Sequence, residues 1–244
     1  MKFPILFFMA ILAAFISGCS TTESENVRTQ GIRAEIRVIA ISSDVDTDAA
    51  VEVYLFVGSG GVGGTLVEIS GGDGLRAYLD GVAYELTKTS DLFGVYYAAT
   101  LPTSSVNTLY QVSFERDEGV SATESSVMLP EPFEITSDTS ISATNSATLD
   151  ITWSPQGAGK LTLMYRFSCE GGTNLSSDLF GSRSIDDDGA FQMDLGDYLA
   201  ADVTQCEGTI DLERTSSGTL DTNFGEGGYI QGVQHRSMNI AVSE

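Results

Sequence analysis

The chain has 244 residues, with 34 Asp+Glu against 12 Lys+Arg and a formal charge of −22. That balance excludes a nucleic-acid binder, which needs a basic face for phosphate, and excludes electrostatic docking on anionic lipid. A hydrophobic share of 42% with 9% aromatics is enough to build a core, which excludes wholesale disorder.

Lys2 precedes an uncharged run, residues 3–16. The run is shorter than the roughly 20 apolar residues of a membrane-spanning helix and fits the apolar region of a signal peptide. It is followed by Ile16-Ser17-Gly18-Cys19. An aliphatic residue, a small residue, Gly and Cys in that order resemble the lipobox of bacterial lipoproteins. The resemblance implies cleavage after residue 18 and acylation of Cys19, which anchors the protein in a membrane through several acyl chains. Ser20 is not the Asp that favours inner-membrane retention, so the implied location is the outer membrane. The polar stretch 20–30 reads as a flexible tether, making 19–30 a lipidated N-terminus and linker.

Beyond residue 30 the sequence calls for strands. Alternating, β-branched runs bounded by Gly, Asp, Ser and Pro fall at 32–41, 51–57, 65–69, 75–79, 82–86, 95–101 and 109–115. Asp80-Gly81 marks a tight hairpin turn. Leu129-Pro130-Glu131-Pro132 cannot sit in a central strand and marks a boundary. New strands follow at 148–153, 161–169, 206–213 and 229–242. No stretch after the signal sustains a helical period. The expected fold is all-β, with two tandem sandwiches over 31–136 and 137–244. LDITWSP and the spacing of the strands resemble bacterial Ig-like modules at the level of architecture. Trp153 precedes both remaining cysteines, unlike the Cys-Trp-Cys order of immunoglobulin domains, so strand order stays open.

With Cys19 acylated, Cys169 and Cys206 remain, and an even pair in an exported protein reads as a disulfide. Cys169 shares parity with Leu161, Leu163, Tyr165 and Phe167, and Cys206 with Ile210 and Leu212, so each lies on the apolar face of its strand. The rivals are two free thiols or a metal pair, and a metal pair needs more ligands than a chain with one His supplies.

Other patterns bear on chemistry. Asp44, Asp46 and Asp48 space carboxylates as calcium loops do, but Ala49 and Leu55 stand where an EF-hand needs Gly and Glu. A solvated turn is the plainer reading there, and for Asp186-Asp187-Asp188-Gly189. The glycine-rich run 58–64 follows a strand but leads into another, so it reads as a hairpin loop rather than a phosphate cradle. His235 has the opposite parity to Met238, Ile240 and Val242 and should face water. No nucleophile motif stands out. Tyr78 and Tyr96 have outward parity and form a possible ligand-binding face for sugar or protein.

The expected function is a non-catalytic binding or assembly module anchored in the bacterial envelope, without a cofactor, with a protein or polysaccharide partner. Two alternatives stay open: an envelope hydrolase using paired carboxylates, and a carbohydrate-binding or calcium-dependent adhesion module. A flat face with exposed aromatics favours the first reading. A cleft holding paired acids, one with a raised pKa, favours the hydrolase.

Overall fold

The computed structural model describes residues 21–41, 48–58, 64–91, 94–102, 108–138, 140–144, 147–171, 177–199 and 203–243. The strands in chain order are β1 (Thr21–Glu23), β2 (Ile32–Ala40), β3 (Asp48–Val57), β4 (Thr65–Glu68), β5 (Gly74–Leu79), β6 (Val82–Glu85), β7 (Thr87–Asp91), β8 (Gly94–Pro102) and β9 (Leu109–Glu115). They continue with β10 (Ala122–Met128), β11 (Glu134–Ile135), β12 (Ser140–Thr144), β13 (Thr148–Ser154), β14 (Lys160–Gly171), β15 (Ser177–Asp186), β16 (Ala190–Asp194), β17 (Val203–Ser217) and β18 (Tyr229–Ser243). The fold is all-β, as the alternation predicts. Among the described residues the only helical turns are short 3-10 segments, and none is long and apolar enough to cross a membrane.

One 11-stranded sheet runs through the whole molecule in the order β1-β4-β3-β2-β18-β17-β14-β15, with β8 and β7 on β3 and β12 on β18. A four-stranded sheet, β10-β9-β5-β6, covers its first half, and a three-stranded sheet, β11-β13-β16, covers the second. Two cores result. The first is built on Ile32, Ile36, Val51, Val53, Leu55, Tyr110 and Phe114. The second is built on Ile151, Trp153, Leu161, Leu163, Phe167, Ile210 and Leu212.

The two sandwiches share their long sheet through β17 and β18. Tyr229–Gln234 pair in parallel with Glu35–Ala40 of β2, and Asn239–Ser243 pair in parallel with β12. β18 gives Ile230 to the first core and Met238, Ile240 and Val242 to the second. These four share one parity along a strand that pairs with β17 without a register break, so both cores lie on one side of the long sheet. The turn before β18 adds Phe224 to the first core. Residues of the 137–244 stretch thus help build the core under 31–136.

The proline segment crosses between the sandwiches. Proline removes backbone donors there, and side chains from the long sheet satisfy the carbonyls instead. The Gln234 amide donates to the Pro130 carbonyl at 3.2 Å, and Arg214 Nη1 to that of Glu131 at 2.8 Å. Phe133, fully buried, lies under two guanidinium groups, 4.8 Å from Arg214 and 5.3 Å from Arg236. Asp80 (φ 49°) and Gly81 (φ 80°) form the expected hairpin turn between β5 and β6.

Residues 21–30 correct the tether expected there. They form β1 and two 3-10 turns, Ser24–Asn26 and Thr29–Gly31. Two of the polar side chains that suggest solvation, Ser24 and Thr29, are buried and bonded, while most of the others face solvent. Ser24 Oγ donates to Asp73 Oδ2 at 2.7 Å, and Thr29 Oγ1 donates to the Val120 carbonyl. Arg116 donates to the carbonyls of Val27 (2.8 Å) and Ser24 (3.0 Å) while pairing with Asp73 at 3.0 Å.

Candidate binding face

The side of the long sheet opposite the cores is a broad outer face. Along β2, Ile32, Ala34, Ile36 and Val38 point inward, which leaves Arg33, Glu35 and Arg37 outward. Along β3 the same alternation leaves Glu52, Tyr54 and Phe56 outward, and along β8 Tyr96 and Ala98. Strand register sets these rows side by side, with Arg33 opposite Phe56, Glu35 opposite Tyr54, and Val53 opposite Tyr97.

The aromatic residues form a column. Tyr54 and Tyr96 have ring centroids 5.0 Å apart and planes 17° from parallel, and Tyr54 and Phe56 are 6.3 Å apart at 9°. The Arg33 guanidinium covers Phe56 at 4.9 Å and pairs with Glu35 at 2.6 Å. At this separation and tilt Tyr54 and Tyr96 form an offset stack, and both rings are half-buried. The Tyr54 hydroxyl donates to Asp91 Oδ2 at 2.7 Å; burial and then this carboxylate push the phenol well above its usual range. Tyr229 extends the row on β18 opposite Glu35, its hydroxyl 3.4 Å from Glu35 Oε2.

Further along the same face, His235 sits half-buried between Asp211 (Nε2–Oδ1 3.5 Å) and Glu213 (Nδ1–Oε1 3.4 Å). Glu213 also pairs with Arg37 at 2.7 Å. Hydrogen bonding to Asp211 and then Glu213 pushes His235 up to about 9. Burial opposes ionisation of both acids, and the bonds to His235 overcome it, so both lie below the usual carboxylate range. The outward parity read for His235 places it on this face.

Tyr78 and Tyr96 do not come together. Tyr78 lies on β5 in the four-stranded sheet, where its hydroxyl donates to Glu115 Oε1 at 2.9 Å, and Tyr96 lies in the long sheet. Cys169 and Cys206 stand directly opposite each other on β14 and β17 and are disulfide-bonded, with Cα atoms 4.0 Å apart. Cys19, Asp44 and Asp46 lie outside the described residues, as does most of the 58–64 run; Asp48 is exposed at the start of β3. Asp187 is not part of a solvated turn. It is buried, and accepts from Trp153 Nε1 at 2.8 Å and from Arg214 through two bonds. Among the described residues no cluster of His, Cys, Asp and Glu is arranged to hold a metal.

A cleft of about 500 Å³ lies between the 3-10 turns and the β9–β10 turn, lined by Glu25, Arg28, Thr29, Arg116, Glu118 and Val120 among others. Arg116 spends its charge inward on Asp73, so the cleft gains little positive field from it.

No protein-family model matches the chain, and no curated protein matches it at a significant level. Among solved structures it is similar to a chimeric titin Z1Z2 functionalized with a decorin peptide, at 14% identity and TM-score 0.25, covering 89% of this chain and 100% of that one. It is also similar to SGBP-B of the Bacteroides ovatus mixed-linkage glucan utilization locus, solved with a heptasaccharide, at 11% identity and TM-score 0.20, covering 91% and 66%. Scores of this size carry no argument about function.

Proposed function

We propose that the protein is a lipid-anchored, non-catalytic binding or assembly module of the bacterial outer membrane that engages a protein partner on the outer face of its long sheet. The observation that carries this reading is the column Arg33–Phe56–Tyr54–Tyr96, half-buried on a broad sheet face and rimmed by ion-paired polar groups. Aromatic and Arg side chains held rigid in that way are the usual anchors of protein interfaces. The rings already spend part of their faces on one another and on Arg33, which favours a protein partner over a stacked sugar. Anchoring is supported by Ile16-Ser17-Gly18-Cys19 behind the uncharged run.

The test is photo-crosslinking in cells, with a photoreactive residue replacing Thr100 on the outer face or Ala83 on the four-stranded sheet. One dominant protein adduct from position 100, lost on Tyr54→Ala or Tyr96→Ala, is expected. Equal adducts from both faces would overturn the assigned face. Retention on an envelope polysaccharide that Tyr96→Ala abolishes would replace the protein partner with a sugar. Polymer turnover abolished by one Asp or Glu substitution in a folded variant would overturn the non-catalytic reading. Cys19→Ala should release the protein from membranes.

A further inference from the structure

One residue, Ser20, separates Cys19 from the first residue of β1, Thr21. An extended chain spans at most about 3.6 Å per residue, so the two Cα atoms are no more than about 7 Å apart. The fold fixes where that point lies. Thr21 pairs with Leu66 of β4, and Leu66 with Phe56 of β3. The neighbouring Val57 stands opposite Ile32, where β2 begins. β2 then runs parallel to β18, toward the second core. The N-terminal end of β1 is therefore at the pole of the first sandwich farthest from the second.

Hydrogen bonds hold that pole together around the cleft described above. The pole gathers residues 24–31, 117–121 and 223–228. Beyond the Ser24, Thr29 and Arg116 bonds already described, the Asn223 amide donates to the Ser121 carbonyl at 2.9 Å, and the Gly225 N–H to that of Ile32 at 2.7 Å. A polar segment pinned in this way cannot pay out as extra tether.

We infer that the protein stands upright on the bilayer, with this pole against the lipid headgroups and the second sandwich held away from them. The inference rests on the Cys19 anchor proposed above. From Tyr229 to Ser243, β18 alone spans about 45 Å at about 3.3 Å per residue. Glu25, Asp117, Glu118 and Glu226 at the pole outnumber Arg28. The contact is thus imposed by the short link and not by charge attraction, and it suits a zwitterionic surface better than an anionic one.

The test uses the lipidated full chain in phosphatidylcholine vesicles that carry a headgroup-linked energy acceptor. A thiol-reactive donor is placed on Glu118→Cys at the pole, or on Glu207→Cys on β17 opposite Ala241. Transfer several-fold stronger from position 118 than from 207 is expected. Inserting about 20 Gly/Ser residues after Ser20, with an r.m.s. reach of about 25 Å, should pull the 118 signal down toward that of 207. Vesicle-bound protein with equal transfer from the two positions, or transfer that the insertion leaves unchanged, would overturn the upright stance while leaving the anchor intact. Protein that does not float with the vesicles would overturn the anchor, and the stance with it.

Discussion

Arg214 and Asp187 form a buried bidentate pair, Nε to Oδ2 at 2.7 Å and Nη2 to Oδ1 at 2.9 Å. The pair closes the joint between the two sandwiches. Arg214 also donates to the carbonyls of Glu131 and Pro155, and Trp153 donates to the same Asp187 carboxylate. Every strong donor around the acid is used.

Removing one partner should therefore be costly. Asp187→Asn leaves a buried guanidinium without its counter-charge, and we expect a loss of about 3–5 kcal/mol in urea unfolding. Replacing both, with Arg214→Met added, should recover part of that loss. Burial opposes ionisation of Asp187, and the Arg214 and Trp153 bonds overcome it, so its folded pKa is depressed. A depressed carboxylate contributes stability above its unfolded pKa, about 3.9, and loses it as pH falls through the lower folded value. The pair should hold down to about pH 4 and fail in stronger acid.

His235 gives the opposite slope. Its folded pKa, about 9, is above the ordinary value of 6.5. Its contribution is complete below pH 6.5 and is lost as pH rises through 9. The contacts at 3.4–3.5 Å are long, so the contribution is modest, about 1 kcal/mol. Stability measured across that window should fall less in His235→Gln than in the parent, and proton NMR of the imidazole should give the titration directly.

The disulfide closes a separation of 37 residues within the second sandwich. Replacing Cys169 and Cys206 by Ala should cost roughly 2–5 kcal/mol, read as a lower thermal midpoint that reducing agent no longer changes.

Gly232 lies where β18 passes under the end of β10. A Cβ there would meet the Met128 carbonyl at 2.5 Å and the Ser216 hydroxyl at 2.8 Å. Gly232→Ala should destabilise by about 1–3 kcal/mol in chemical denaturation, because the main obstacle is backbone and cannot rotate away.

Much of the strand pattern is legible because burial alternates along most of each strand: β2, β3, β13, β14 and β18 fall close to their expected places. The disulfide was legible for the same reason, since parity put both thiols inward. β1 was not, because its TTE carries no apolar phase and is held by a parallel partner far along the chain. Tyr54 and Phe56 could have been found by the parity that exposed Tyr96, since both alternate with Val51, Val53 and Leu55. Parity gives a face but not a sheet, which is why Tyr78 and Tyr96 seemed to belong together. Asp187 was hidden among Asp186 and Asp188, where a run of acids looks like solvent-facing charge until its partner, 27 residues away, is known.

The pairing of β2 with β18 sets an order of events. Glu35 waits for Tyr229, 194 residues later, before the long sheet can close over the first core. Domains usually fold from the N-terminus as synthesis proceeds. Here the first sandwich stays open along β2 until β18 has arrived, so its early strands spend that interval with an unpaired edge exposed. A chain of this design can cover the β2 edge only once nearly all of it is available, and like-charge repulsion from its excess of acidic side chains opposes pairing of such edges between molecules in the meantime.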